Sequence, residues 1–145
     1  MDHHLLLRVV TKLLTAPILL FGLYVQFHGD FGPGGGFQAG VIFAVAFILY
    51  GIVFGLSDLR RIFPDWVVHR FVALGVLIYA GTGIVSLFFG ATFLDYNVLS
   101  SDPVAGQHLG ILFVELGVGI TVFAVMVAIF YAFAARPPRI DDKDW

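Results

Sequence analysis

Residues 32–56 read GPGGGFQAGVIFAVAFILYGIVFGL, a glycine run that opens into twenty residues without a charge, Phe37 to Leu56. Twenty helical residues rise about 30 Å, the hydrocarbon thickness of a bilayer. The stretch lacks the apolar–polar alternation of a membrane barrel strand, and its apolar run is longer than such a strand needs. An isolated strand would also leave its backbone unsatisfied in lipid. The stretch therefore predicts a transmembrane helix entered through a break. Pro33, Gly34, Gly35 and Gly36 resist regular structure, and the run marks a place where backbone bends tightly or packs closely.

Three further spans of similar character flank it, at about 5–27, 71–89 and 108–134. The expected fold is an all-α integral membrane protein with four transmembrane helices, residues 1–145 forming one four-helix membrane domain. Composition agrees. The chain is 59% hydrophobic and 12% charged, whereas soluble domains average about 45–50% apolar and about 25% charged residues. Its mean hydropathy is +0.95. The first span is expected to remain uncleaved, because its apolar stretch is too long for a signal peptide and no small-x-small site follows. The absence of cysteine excludes disulfides, thiolate metal sites and cysteine nucleophiles. A net charge of −2 with no basic stripe argues against nucleic acid.

The basic residues give the topology. Arg8, Lys12, Arg60, Arg61, Arg70, Arg136, Arg139 and Lys143 all fall before span one, between spans two and three, or after span four, or at the span edges there. The other two loops carry Asp30, Asp95 and Asp102. The positive-inside rule then places both termini in the cytoplasm, in a multi-pass protein of the cell membrane. Arg8 and Lys12 share a helix face, where they snorkel to headgroups, meet a partner subunit or serve a proton path. Pro17 is expected to kink the first span, and Trp66 marks an interface.

Small residues form stripes: Gly36, Gly40, Ala44, Gly51 and Gly55 in span two, Gly75, Ala80, Gly81 and Gly83 in span three, Gly110, Gly117 and Gly119 in span four. Such spacing lets membrane helices approach closely. The stripes either join the four helices to one another or present a surface to neighbouring subunits.

Glu115 is the one carboxylate inside a span. Placing a charge there costs on the order of 2.5–3.5 kcal/mol on insertion scales, so such residues are functional candidates by default. His108 lies seven residues earlier on nearly the same face, and the pair could relay protons. Alternatively, Glu115 bonds a neighbouring helix at a wet interface. Between spans one and two, His28, Asp30 and Gln38 form a polar group. Asp30 could gather cations at an entrance, or simply turn the chain. His28, Asp30, His108 and Glu115 are thus the ion-pathway candidates.

No histidines stand at a metal-ligating spacing beyond the adjacent His3 and His4, so neither a metal nor a cofactor is expected. The glycine run lacks the Lys and Ser/Thr of a phosphate loop, and no strand precedes it as in a dinucleotide fold. No catalytic grouping points to an enzyme.

The stretch His28-Gly29-Asp30-Phe31-Gly32-Pro33-Gly34-Gly35-Gly36-Phe37-Gln38-Ala39-Gly40 resembles the signature of the MnhB/MrpB family, the small B subunit of multisubunit Na+/H+ antiporters. Leu7 to Leu14 resembles the start of that family. The resemblance implies a non-catalytic subunit of a hetero-oligomer, needed for assembly and antiport, with other antiporter subunits as partners and Na+ and H+ as the transported ions. Pro33, Gly34, Gly35, Gly36 and Phe37 carry over as the motif, without a catalytic role. Related subunits occur in membrane-bound hydrogenases. An equivalent subunit of a hydrogenase-type or carbon-uptake complex, or a pure scaffold, is the alternative.

Overall fold

A computed structural model of the chain describes residues 3–29 and 32–136, with side chains from Leu5 onward. Asp30, Phe31, Arg139 and Lys143 lie outside the described residues. The elements are α1 (His3–His28), α2 (Gly36–Phe54), α3 (Leu56–Ile62), α4 (Asp65–Phe88), a 3-10 turn (Tyr96–Leu99) and α5 (Pro103–Ala134). No strand occurs among the described residues. Four of these helices, α1, α2, α4 and α5, are long and apolar enough to cross a membrane, as the apolar runs predict.

The helices start and stop where local chemistry dictates rather than where the apolar runs do. Span four is expected from about residue 108, yet α5 begins at Pro103. Asp102 caps it, its carboxylate accepting from the N–H groups of Val104 at 3.3 Å and Ala105 at 3.4 Å. Pro103 lends its fixed φ to the first turn. At the far end of α4, Gly90 adopts φ +78°. Its N–H donates to the Leu87 carbonyl at 2.9 Å, and that of Ala91 to Ser86 at 3.2 Å. This paired closure needs a left-handed residue just past the helix. α1 runs through Pro17 as one helix.

The long helices form a row. α1 packs on α2, α2 on α5 and α5 on α4, while α1 meets α5 only marginally. α1 and α4 flank the row, and α1 is the least covered, with Leu6 69% and Leu13 68% exposed. Outward apolar side chains of this kind suit contact with lipid or other helices.

Helix direction alternates along the chain, so every described basic residue collects at one end. Arg8 and Lys12 lie over the Phe54 ring, Arg60 over Tyr131 and Arg70 over Trp66. We call this the basic end and the opposite one the glycine end. The buried core lies toward the basic end. Phe47 and Phe63 meet Phe123 at centroid distances of 5.1 and 5.2 Å, and Phe71 meets Phe63 at 5.5 Å. The Tyr131 hydroxyl donates to the Phe63 carbonyl at 2.6 Å, tying the α3–α4 connection to α5. Phe123→Ala removes the ring that Phe47 and Phe63 both meet. It is expected to destabilise the chain by about 3–5 kcal/mol, read as a lowered midpoint in thermal or denaturant unfolding of the purified protein.

The small-residue stripes are spent inside the chain. A Cβ added at Gly40 would lie 2.6 Å from the Gly119 carbonyl oxygen, and one at Gly117 would lie 2.8 Å from that of Gly75. α2 and α4 therefore meet α5 backbone to backbone. Two other glycines are notches for aromatic rings of the α4–α5 connection: Gly83 receives Phe93 and Gly110 receives Tyr96. The reading of the stripes as a surface for neighbouring subunits gives way at these positions, because the protein's own chain already fills them. Gly81 and Gly55 are exceptions: open space surrounds Gly81, and only the Ser57 hydroxyl, at 4.0 Å, would lie near a Cβ at Gly55.

Candidate functional site

The glycine run is built around Glu115. Gly35 holds φ +118° and ψ −179°, a conformation open in practice to glycine alone. That geometry turns its N–H onto the Val25 carbonyl of α1 at 3.1 Å, while its own carbonyl accepts from Ala39 at 3.0 Å to start α2. One residue thus closes one helix and opens the next. The same turn presses the run against α5. A Cβ at Gly35 would lie 2.8 Å from a carboxylate oxygen of Glu115, and one at Gly29 would lie 2.5 and 2.6 Å from its two oxygens. At Gly36 a Cβ would overlap the backbone carbonyl of Glu115 itself. The half-buried Glu115 side chain therefore lies in a niche that exists because these positions lack side chains. Gly34 serves the α1 side, where a Cβ would come within 2.9 Å of the Val25 carbonyl oxygen.

The other sequence candidates are distributed around this niche. His28, half-buried at the end of α1, stacks on Tyr24 at 5.0 Å with 22° between the ring planes. Its Nε2 faces Gly32, 3.1 Å from a Cβ placed there. His108 is exposed on α5. Seven helical residues separate it from Glu115, about 10 Å along the axis. Pro33 and Phe37 point outward, Phe37 being 61% exposed. Among the described residues, no three histidine or acidic side chains stand close enough to hold a metal ion.

Comparison with known proteins places this chain in a family. The family described as "Domain related to MnhB subunit of Na+/H+ antiporter" matches residues 6–128. The chain belongs to the MnhB family. Its relatives include proteins of Staphylococcus aureus strains Newman, JH1 and COL, each named "Putative antiporter subunit mnhB2". Each is 38% identical over 132 residues, covering 83% of this chain and 92% of the relative. The resemblance drawn from His28 to Gly40 and from Leu7 to Leu14 is confirmed.

In this MnhB-family chain the structure adds a residue that the sequence reading passed over. Gln26 is 5% exposed, and among the described residues its Nε2 has no hydrogen-bond partner. Its Oε1 would lie 2.7 Å from a Cβ at Gly119, one helical turn inward from Glu115. An uncovered buried amide costs about 1–3 kcal/mol. The available signal was an amide inside an otherwise apolar span, which a search for charged groups ignores. Gly29 was likewise quoted only as part of the motif, yet it touches the carboxylate most closely. Taken together, a carboxylate in a glycine-lined niche with a buried amide below it can take up and release a proton, or attract a cation, near the glycine end.

Proposed function

We propose that this MnhB-family chain is a small, non-catalytic membrane subunit of a multisubunit Na+/H+ antiporter, and that Glu115 borders its ion route. The observation that carries the proposal is the fit of the Glu115 carboxylate against Gly29 and Gly35, which joins the lone intramembrane acid to the family motif. The names of the Staphylococcus relatives support the antiporter setting. The row arrangement supports a need for partners: α1, α2, α5 and α4 lie side by side, so a polar path requires other antiporter subunits to complete it. His28 at the end of α1, with Asp30 two residues on in sequence, supplies groups that exchange protons or gather cations from water. His108 lies further out on the same helix. Assembly of the complex is the second part of the role.

The proposal is tested in the intact complex in everted membrane vesicles, by Na+-dependent collapse of a proton gradient. Glu115→Gln complexes that assemble normally should lose antiport, and unchanged antiport would remove Glu115 from the mechanism. Orientation has its own test. Clustering of basic residues at one end of the helices supports both termini facing the cytoplasm of a cell-membrane protein. A reporter fused after Trp145 should be active only in a cytoplasmic form, and a reporter active only outside would reverse the topology.

A further inference from the structure

On α1, Arg8, Lys12, Thr15 and Leu19 follow one another at steps of four, three and four residues, so they share a face. That face turns toward α2. The Arg8 guanidinium lies 5.7 Å and the Lys12 ammonium 5.4 Å from the centre of the Phe54 ring. Deeper along the same seam, Thr15 and Leu19 form one wall of a groove of about 170 Å³, facing Ala46 and Tyr50 of α2 and Leu59 and Ile62 of α3. Its lining is apolar, because the Thr15 hydroxyl is turned back onto the Thr11 carbonyl at 2.7 Å. Tyr50 stacks on Phe54 at 4.4 Å and links the groove to the two cations. Among the described residues neither cation pairs with a carboxylate, whereas Arg60 pairs with Asp65 and Arg61 with Asp58. From Arg8 to Leu19 the helix rises about 16 Å, close to half of the roughly 30 Å hydrocarbon core.

We propose that the α1–α2 seam binds one anionic phospholipid, its phosphate on Arg8 and Lys12 and an acyl chain in the groove. The match is one of charge and depth together. Two exposed cations, unpaired with any carboxylate among the described residues, sit at headgroup level, and the apolar groove continues below them to about one leaflet's depth. Phe54 holds both cations by its ring face and so prepays part of their ordering. An acyl chain supplies the groove walls with contacts that an open notch forgoes. A zwitterionic lipid fills the groove equally well but gains little at Arg8 and Lys12. A partner helix fills it without bringing an anion.

Membranes containing the full chain in its complex, labelled with photoactivatable phosphatidylglycerol or phosphatidylcholine carrying the reactive group on an acyl chain, decide the matter. Cross-links should concentrate on residues 15–19 and 46–50, with phosphatidylglycerol favoured on the order of thirtyfold for two basic contacts. Arg8→Gln together with Lys12→Gln, both at exposed positions that leave the fold intact, should abolish that preference. Ala46→Leu, which fills the groove, should remove the cross-links from both lipids. Equal labelling by the two lipids, or a preference that survives the double substitution, overturns the proposal. A seam that no lipid labels in the complex assigns it to a partner helix instead and overturns it too.

Discussion

Replacing Gly36 with alanine is expected to destabilise the folded chain by about 3 kcal/mol or more. The added Cβ would overlap the Glu115 carbonyl oxygen, and it would stand 2.7 Å from that carbonyl carbon and 3.0 Å from the Cα. All three atoms are backbone, so no side-chain rotation relieves the overlap. α2 must move away from α5, and α2 is the element through which α1 joins the row. Overpacking of a core costs about 1–3 kcal/mol and occasionally more. Backbone against backbone belongs at the upper end, a large share of the roughly 5–15 kcal/mol that holds a typical domain. Gly81→Ala is the matched control. It places the same methyl group in open space within α4, and removing a mid-helix glycine there should be neutral or stabilising by about 0.5–1 kcal/mol. Membrane level and melting temperature of the two variants, measured side by side, give the test. Equal behaviour of the pair would refute the close α2–α5 contact.

Glu115→Gln is expected to produce the opposite phenotype, a folded and assembled chain in a complex with antiport near background. Glutamine keeps the length and shape that fit against Gly29 and Gly35 but cannot release a proton or carry a charge. Uncharged, it also inserts into a membrane helix at lower cost than a carboxylate. Stability should therefore hold while transport fails, which separates this variant from Gly36→Ala. Glu115→Asp restores the charge with a shorter reach and should recover part of the activity. Loss of assembly in Glu115→Gln, with antiport restored whenever assembly is restored, would make the residue a structural bond and leave the ion route elsewhere.

The candidate site was legible in pieces. Glu115 stood out because a carboxylate in an apolar span is costly, and Gly35 and Gly36 stood out because a glycine run resists regular structure. That these two features are one site was not legible, because they lie in different spans and neither carries a mark naming the other. Gln26 was missed because an amide raises less alarm in an apolar window than a charge does. Its burial depends on Gly119 of a helix far along the chain. The small-residue stripes were correctly recognised as places of close approach, but not what approaches. Spacing alone cannot tell whether a backbone, as at Gly40 and Gly117, or a loop ring, as at Gly83 and Gly110, fills the gap.

The sequence by itself determined that this chain has four membrane-crossing helices, that its Lys and Arg residues gather at one end of those helices, and that it carries the MnhB signature. These follow from properties local to each segment. A twenty-residue apolar run in lipid must satisfy its own backbone within the run, whatever its neighbours do. Tertiary structure alone decided the row order of the helices, the niche around Glu115, and the seam between α1 and α2. Each of these depends on which faces meet, and a face is chosen by the sum of contacts across several helices rather than by any one of them.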